Sequence, residues 1–356
     1  MTPNPTCRFL SNGYRFELKP DNHVRSTPCC KWDNAKSVML NAPLSDHTQF
    51  REQIGHVDAN TYPGCHICNK LTAQGIPATM RESSFTNIPA DSEFGDATFL
   101  ELQLDRTCNG GCIVCGPHFS TYWQQELRDA GIKVMNNPKV NNLNKILERV
   151  DIQKSRKINF LGGESFLTDE DIRLLPGINH PELVVLQYAT NGSVYPTKQR
   201  RDLWEKFKRV NISFSIDGIG NRFDYIRYPL KWQKVVDNFA RMRDTLPNNV
   251  VFSVCHTVNI FNLYYYDEFE EWYNSTGLPV RSLIYNPAFG LLSPHSVPEK
   301  LRNYIVDKYG VDHKVSRTIN NVALDPTNML EFITGIDHRR NLDWRKVFPE
   351  ISDYLK

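Results

Sequence analysis

Residues 100–115 read LELQLDRTCNGGCIVC, and this stretch determines the fold that we expect. Its first half alternates leucine with polar residues, which is typical of a β-strand whose side chains point alternately to two faces. Its second half places Cys108, Cys112 and Cys115 on a loop directly after the strand. Enzymes built from βα units carry their functional residues on such loops. The stretch therefore predicts a functional loop at the carboxyl end of a sheet strand.

Strand and helix patterns alternate along the chain beyond this strand. Six βα units in succession imply parallel strands with right-handed crossovers, in a doubly wound sheet or in a complete or partial barrel. The strands are predicted near residues 98–105, 157–161, 183–190, 210–216, 249–258 and 280–286, and the helices near 118–130, 168–175, 199–209, 231–245 and 263–275.

The predicted strands mix apolar and polar residues. Ile212, Phe214 and Ile216, for example, alternate with Ser213 and Ser215. Parallel strands that are buried on both faces are normally apolar throughout. One face is therefore expected to line a polar lumen that holds a ligand, and this favours an α/β fold with a partial (β/α)6 TIM-like barrel.

The composition excludes several classes of protein. The 356 residues are 40% hydrophobic and 23% charged, as in an ordinary globular protein. The 42 Lys and Arg residues against 40 Asp and Glu give a net charge of +2, so nucleic acid is not predicted as a partner from charge. No run approaches the ~20 apolar residues of a membrane span, and residues 1–7 lack the features of a secretory signal. A cytoplasmic protein with no membrane partner is expected.

The nine cysteines fall into two groups and one single residue. In the reducing cytoplasm, their spacing indicates metal binding or catalysis before disulfides. Turn-forming residues at 83–97 predict a linker, which places a domain boundary near residue 95. The predicted domains are 1–95, 96–290 and a helical extension, 291–356, with one amphipathic C-terminal helix over 344–355. The cysteine groups are Cys7, Cys29, Cys30, Cys65 and Cys68, and then Cys108, Cys112 and Cys115, with Cys255 alone.

The thiolates of the second group are soft ligands that suit zinc or an iron–sulfur cluster. A zinc site completed by His118 would be closed and tetrahedral, and the three cysteines alone leave both options open. The other strand ends favour a small-molecule site, because glycines let a ligand approach the backbone and polar side chains fix its orientation. These ends are Gly162-Gly163-Glu164, Thr190-Asn191-Gly192, Ser215-Ile-Asp217-Gly218, Thr257-Val-Asn259 and Asn286-Pro287.

The CxxxCxxC loop, the Gly-Gly-Glu turn and the Ser-x-Asp strand end, in this order and spacing, resemble the radical S-adenosylmethionine (SAM) superfamily over residues 97–290. The resemblance implies that Cys108, Cys112 and Cys115 bind three irons of a [4Fe–4S] cluster, while SAM chelates the fourth. It implies an oxidoreductase-like enzyme that reductively cleaves SAM to a 5′-deoxyadenosyl radical, which abstracts a hydrogen atom from a substrate. Such an enzyme needs an electron donor such as flavodoxin or ferredoxin.

The same resemblance assigns residues to SAM. Glu164 would be the hydrogen-bonded counter-charge of the methionyl ammonium, and the backbone carbonyls of Gly162 and Gly163 would lie beside it. Contacts with the ribose, the methionyl carboxylate or the nucleoside are implied for Asn191, Ser215, Asp217, Asn259 and Pro287.

The N-terminal cysteines resemble the SPASM/twitch modules of this superfamily, which hold auxiliary [4Fe–4S] clusters. The resemblance rests on a hairpin-like segment at 16–25 with cysteines on both sides and a later CxxC pair. There are enough cysteines for one auxiliary cluster with one of Cys29 and Cys30 to spare, and a structural zinc knot is the alternative. The implied ligands come from Cys7, Cys29, Cys30, Cys65 and Cys68.

Three functions are compatible with the sequence. Barrels with such modules often modify peptides, so a peptide or protein side chain is the expected substrate, although a fold does not fix a substrate. A radical SAM enzyme that acts on a small metabolite or nucleotide is the second hypothesis. A zinc-stabilised binding protein without catalysis is the third.

Three further expectations concern the strand ends. Cys255 is expected to face the lumen with Ser253 and Thr257, as an inert buried thiol or as a hydrogen-atom donor to a substrate radical. His256 is expected on the apolar face as a buried histidine. The segment 222–229 either contacts substrate or forms a helix start with packed tyrosines and solvated arginines.

Overall fold

A single nine-stranded sheet organises the part of the chain that is described here. The computed structural model describes residues 7–19, 23–32, 37–73, 79–134, 143–288, 290–319 and 327–355. The strands are β1 (Gly13–Leu18), β2 (Val24–Thr27), β3 (Val38–Met39), β4 (Phe99–Gln103), β5 (Lys157–Phe160), β6 (Val185–Thr190), β7 (Arg209–Ser215), β8 (Val250–Val258) and β9 (Leu283–Pro287).

The order of strands in the sheet is β3-β2-β1-β4-β5-β6-β7-β8-β9. Strands β4 to β9 are parallel, which confirms the six predicted parallel strands and a mixed α/β fold. Strand β1 pairs in parallel with β4, whereas β2 and β3 add antiparallel strands at that edge. No pairing joins β3 to β9 within the described ranges, so the sheet is open there.

Helices connect the parallel strands as the alternating pattern predicted. The α-helices before β6 are α1 (Phe9–Asn12), α2 (Leu44–Gly55), α3 (His66–Ala73), α4 (Thr79–Asn87), α5 (Thr121–Asp129), α6 (Leu143–Leu147) and α7 (Glu170–Leu174). Those after β6 are α8 (Lys198–Trp204), α9 (Gly220–Ile226), α10 (Trp232–Thr245), α11 (Tyr266–Ser275), α12 (Glu299–Tyr309), α13 (Lys314–Ile319), α14 (Thr327–Arg340), α15 (Trp344–Val347) and α16 (Pro349–Ser352). None of the described helices has the length and hydrophobicity needed to cross a bilayer.

Register gives the two faces of the sheet different chemistry. Leu100, Ile158 and Leu186 are neighbours on β4, β5 and β6, and each is fully buried on one face of the sheet. One residue further along each strand, Glu101 lies opposite Asn159 on the other face. The alternation predicted from the sequence is therefore confirmed, because adjacent residues of a strand point to opposite faces.

Two expectations about elements were wrong in part. The predicted linker 83–97 begins inside helix α4, which runs to Asn87. The single helix predicted over 344–355 is two short helices that break at Phe348, because Pro349 disfavours helical backbone at the residue before it. The apolar stripe is nevertheless buried, with Trp344, Phe348 and Ile351 at most 1% exposed.

Candidate functional site

The cysteine loop is held by backbone hydrogen bonds from a distant segment. Gly111 donates its N–H to the carbonyl of Tyr228 at 2.6 Å, and Ile113 donates to the carbonyl of Ile226 at 2.8 Å. On the other side, the indole N–H of Trp123 donates to the carbonyl of Cys112 at 2.9 Å. Residues 226–228, at the end of helix α9, therefore fix the shape of this loop, at the carboxyl ends of the parallel strands.

The three thiols of the loop share a partly buried environment. Burial, followed by the charge of Cys112, raises the pKa of Cys108 and of Cys115 to about 12. A Cβ atom placed on Gly110 would lie 3.4 Å from Sγ of Cys112 and 3.7 Å from Sγ of Cys108. Thiols with raised pKa values stay protonated at neutral pH, so binding of a metal centre by them releases protons.

A single-ion zinc site at this loop is not seen. Within the described ranges, no three His, Cys, Asp or Glu side chains are placed to ligate one metal ion. His118, the fourth zinc ligand considered from the sequence, is exposed. The cysteines of a cluster each bind a different iron, so they do not need to converge on one point.

The two glycines of the Gly-Gly-Glu turn allow close contact with the exit of strand β4. Gly162 has φ of +134°, a conformation that favours glycine. A Cβ atom on Gly163 would lie 2.2 Å from the carbonyl oxygen of Thr107, so any side chain there would collide with the backbone. These glycines were expected to face a ligand; what the structure shows is that close packing against residues 105–107 requires them.

Glu164 is completely buried and its carboxylate is engaged by the protein. Its Oε1 accepts from the Thr190 hydroxyl at 2.7 Å, and its Oε2 accepts from the Asn191 N–H at 2.6 Å. Burial raises the pKa of this carboxyl, and these hydrogen bonds partly offset that effect. The carboxylate that was expected to meet the methionyl ammonium thus has no exposed surface in this structure.

The side chain of Asn191 links this carboxylate to the cysteine loop. Its Nδ2 donates to Oδ1 of Asn109 at 2.9 Å, and Asn109 in turn donates to the hydroxyl of Ser193 at 2.9 Å. The ends of strands β5 and β6 are therefore connected to the loop by a chain of polar contacts.

Asp217 forms a buried ion pair. It is fully buried, its Oδ1 accepts from the N–H of Thr257 at 2.7 Å, and Nη2 of Arg227 lies 2.6 Å from its Oδ2. This last contact is an ion pair without hydrogen-bond alignment. Of the two alternatives for segment 222–229, the one with solvated arginines was wrong for Arg227, because this side chain is only 9% exposed and offsets the Asp217 charge.

Asn259 and His256 are both buried. Oδ1 of Asn259 accepts from the N–H of Phe261 at 3.0 Å, a local turn contact. The His256 ring is fully buried, as expected, with Nδ1 2.9 Å from the carbonyl of Ile216. Burial lowers the pKa of this histidine to about 4, so it is neutral at pH 7.

Ser215 and Cys255 are neighbours in register on β7 and β8 and are partly exposed on the same face. Nδ2 of Asn286 donates to Sγ of Cys255 at 3.5 Å. Burial raises the pKa of this thiol, and the negative charge of Asp217 adds to the effect. Cys255 therefore lies close to the Asp217 and Arg227 pair, on the polar face where it was expected.

A charged network occupies the polar face around strands β1 and β4. Nε of Arg15 lies 3.1 Å from Oε1 of Glu101, and its Nη2 lies 3.1 Å from Oε2 of Glu17. Burial raises the pKa of Glu101, although the charge of Arg15 opposes this. Strand β1 thus contributes charged side chains to the face that was predicted to line a lumen.

The N-terminal cysteines divide by their surroundings. Cys7 and Cys68 are buried. Burial raises the pKa of Cys29, followed by the charge of the adjacent Cys30 and then by those of Cys7 and Cys68. Burial also raises the pKa of Cys65, and the charges of Cys7 and Cys68 add to this. Cys30 instead lies in the fields of Glu101 and Arg15, and burial raises its pKa to about 11 although the residue as a whole is exposed. The charge of Arg81 acts on Cys7 and on Cys65.

Sequence reasoning missed Arg227 and Glu170. Arg227 was recognised only as part of a mixed cationic and aromatic segment, and its partners lie far away in sequence. Glu170 follows the Gly-Gly-Glu turn, and burial together with the charge of Asp105 raises its pKa to about 7. A shifted carboxyl beside the strand ends marks a candidate functional residue, but no local pattern signals it.

Comparison of the sequence with protein-family models and with curated proteins finds no match. Among solved structures, native anSMEcpe with bound AdoMet is 16% identical with a TM-score of 0.42, over 63% of this chain and 62% of that chain. TYW1 with a lysine-pyruvate adduct is 15% identical with a TM-score of 0.30, over 65% of this chain and 77% of that one.

A third solved structure is SuiB of Streptococcus suis bound to the precursor peptide SuiA. It is 12% identical with a TM-score of 0.31, over 82% of this chain and 62% of that chain. The chain thus spans about three fifths of the length of anSMEcpe and of SuiB. At these identities and TM-scores, the likenesses do not assign the chain to a family.

Proposed function

We propose that this protein is a radical SAM enzyme whose [4Fe–4S] cluster is bound by Cys108, Cys112 and Cys115. The observation that carries the proposal is the loop itself: three thiols follow strand β4, at the carboxyl ends of seven parallel strands, and residues 226–228 fix the loop. The donor set fits the group, since iron–sulfur clusters are held by cysteine thiolates. When bound, the cluster supplies the electron that cleaves SAM to the 5′-deoxyadenosyl radical.

The residues around the loop have distinct roles in this proposal. Gly162 and Gly163 hold the strand ends close to the loop and offer backbone carbonyls to the methionyl ammonium. Glu164 fixes the backbone of Asn191 through the 2.6 Å hydrogen bond, and it supplies negative charge behind the ammonium. Ser215 is the partly exposed hydroxyl that can reach a ligand from the polar face.

Asp217 and Asn259 support the SAM site from behind it in this proposal. Both residues are fully buried. Asp217 acts through Arg227, and Asn259 shapes the turn after strand β8 through its contact with Phe261. Their effect on SAM is therefore through neighbouring groups.

The N-terminal cysteines hold an auxiliary [4Fe–4S] cluster in this proposal, as a twitch-like module. Cys29 and Cys65 pack against the buried apolar cluster that contains Cys7, and the charges of Cys7 and buried Cys68 act on both, which supports these four cysteines as its ligands. Cys30 is then the spare cysteine, because Glu101 and Arg15 are its main charged neighbours. Zinc at this site is the alternative that metal analysis separates.

A peptide or protein side chain is the proposed substrate. Support comes from the resemblance of the N-terminal cysteines to modules found in peptide-modifying radical SAM enzymes. The polar face of the sheet also carries the charged and amide side chains of Arg15, Glu101 and Asn159, and the buried Oδ1 of Asn159 has no hydrogen-bond partner among the described residues. Flavodoxin or ferredoxin is the proposed electron donor.

Anaerobic reconstitution tests this function. We expect about eight irons and eight sulfides per chain, a brown colour, and cleavage of SAM to 5′-deoxyadenosine after reduction with dithionite. The triple variant Cys108→Ala, Cys112→Ala, Cys115→Ala should lose cleavage and half of the iron. Cys30→Ala is the matched control and should keep both. Zinc without sulfide in the wild-type protein would show that the proposal is wrong.

The catalytic role proposed for Cys255 is that of a hydrogen-atom donor to a substrate radical, from the polar face of the sheet. With a substrate in hand, Cys255→Ala should keep 5′-deoxyadenosine formation and lose the final product, while solvent deuterium should appear in the wild-type product. Full product formation by the variant would leave Cys255 as a packing residue.

A further inference from the structure

Two buried guanidinium groups approach the cysteine loop. The first belongs to Arg227, which is 7% exposed and directly follows helix α9. Its Nη1 lies 3.9 Å from Sγ of Cys112, while its Nη2 lies 2.6 Å from Oδ2 of Asp217. One side chain therefore contacts both a cysteine of the loop and a carboxylate at the end of strand β7.

The second guanidinium belongs to Arg340, the last residue of helix α14. Its side chain is 1% exposed, and its Nε donates to Oε2 of Glu126 at 2.8 Å. A Cβ atom placed on Gly111 would lie 2.8 Å from Nη2 of Arg340, so the guanidinium packs against the loop at a glycine. Both of its Nη atoms are buried and have no hydrogen-bond partner among the described residues.

Arg340 shares its carboxylate partner with a second arginine. Glu126 is shared by Arg339 at 3.0 Å and Arg340 at 2.8 Å, so one carboxylate faces two cations. Buried charges interact much more strongly than exposed ones, because little water screens them. A buried cation is costly unless something negative lies nearby, and the three cysteines that these two arginines approach become negative thiolates when they bind a metal centre.

We propose that Arg227 and Arg340 are positioning residues that stabilise the negative charge of the cysteine loop, and that they raise the reduction potential of the cluster assigned to it. The inference rests on the proposed function. Reduction adds one negative charge to the cluster, so a fixed cation beside it stabilises the reduced form more than the oxidised form. Arg340 acts from helix α14, which makes the C-terminal extension part of the site.

The reduction potential tests this inference directly. The full chain is reconstituted anaerobically, and the EPR signal that changes on addition of SAM is followed in a redox titration. We expect Arg227→Gln to shift its midpoint to more negative potential and Arg340→Gln to shift it in the same direction by less, with iron and sulfide content unchanged. Arg227→Lys should restore most of the wild-type potential.

Arg51→Gln is the matched control, because Arg51 is a buried arginine whose Nη1 donates to the carbonyl of Gly13 at 2.6 Å, away from the loop. Its midpoint should equal that of the wild-type protein. If Arg227→Gln fails to retain iron, Arg227→Lys becomes the test: iron retained supports the charge role, and iron lost overturns it.

Failure of this inference is distinct from failure of the proposed function. Unchanged midpoints in both glutamine variants, with intact clusters, would overturn the role of the arginines alone. Wild-type protein that holds no iron, or whose EPR signal does not change on addition of SAM, would overturn the proposed function.

Discussion

At the scale of single residues, Glu170 gives a pH-dependent prediction. Burial and the charge of Asp105 raise its pKa to about 7, whereas in the unfolded chain a glutamate titrates near about 4.3. Because the pKa is higher in the folded state, the folded protein binds this proton more tightly than the unfolded chain does. The free energy of unfolding is therefore unreduced below pH 4, where Glu170 is protonated in both states, and it falls as the pH rises through 7. Glu170→Gln should therefore be more stable than wild type at pH 8, by about 1 kcal/mol after allowance for solvent screening.

Urea unfolding at pH 5 and at pH 8 measures this effect. The difference in free energy of unfolding between the two pH values should be smaller in Glu170→Gln than in the wild-type protein. Glu271, an exposed residue of helix α11, provides the control, and Glu271→Gln should leave the difference unchanged. An equal pH dependence in Glu170→Gln and wild type would show that Glu170 is not strained by its surroundings.

The residues that could be predicted are those whose chemistry is local. The spacing of three cysteines within eight residues, and of two glycines before Glu164, is enough to identify them as candidate site residues. The partners of Arg227 do not, because its contact with Cys112 spans 115 residues. The burial of Glu164 and Asp217 could not be predicted either, because a sequence shows that a carboxylate is present but not how many hydrogen-bond donors of the protein surround it.

At the scale of elements, one carboxylate joins helix α14 to helices α9 and α15. Oδ1 of Asp337 accepts from the hydroxyl of Tyr225 at 2.7 Å, and its Oδ2 accepts from the N–H of Trp344 at 2.8 Å. Asp337→Ala leaves two buried donors unpaired, at a cost of about 1–3 kcal/mol for each group. We expect a matching loss in the free energy of unfolding by urea.

Asp312→Ala is the control for the Asp337 variant, because the Asp312 side chain is 91% exposed. Its free energy of unfolding should stay within about 0.5 kcal/mol of wild type. A loss below 1 kcal/mol in Asp337→Ala would mean that α14 is held by its apolar contacts alone.

The positions of helices and strands follow from hydrophobic periodicity, but the residues at which they end depend on individual residues such as prolines. The predicted strand 210–216 is Arg209–Ser215, and the predicted helix 231–245 is Trp232–Thr245. The C-terminal helix was predicted as one piece because its apolar spacing continues through residue 348. The restriction that Pro349 places on Phe348 decides the break, and it could have been recognised from the proline.

At the scale of the whole molecule, the N-terminal strands belong to the same sheet as the βα units. Five consecutive residues of β1, from Gly13 to Glu17, pair with Phe99 to Gln103 of β4. The change in cysteine grouping near residue 95 suggested a boundary, but a boundary in composition does not reveal a strand pairing across it. Pairing of distant segments depends on three-dimensional packing, which is why this part of the architecture could not be predicted.

This continuity predicts that residues 96–356 do not fold without the N-terminal strands. Their removal exposes the backbone edge of β4, takes the Arg15 partner from buried Glu101, and removes Phe9, whose ring centroid lies 4.8 Å from that of Phe99. An exposed edge strand invites association between chains. We expect the shortened chain to aggregate or to unfold without a cooperative transition, as followed by light scattering and circular dichroism in urea. A chain of residues 7–356, which keeps every contact named here, should unfold cooperatively. A sharp transition together with iron binding in the 96–356 chain would instead show that the predicted boundary near residue 95 separates independent domains.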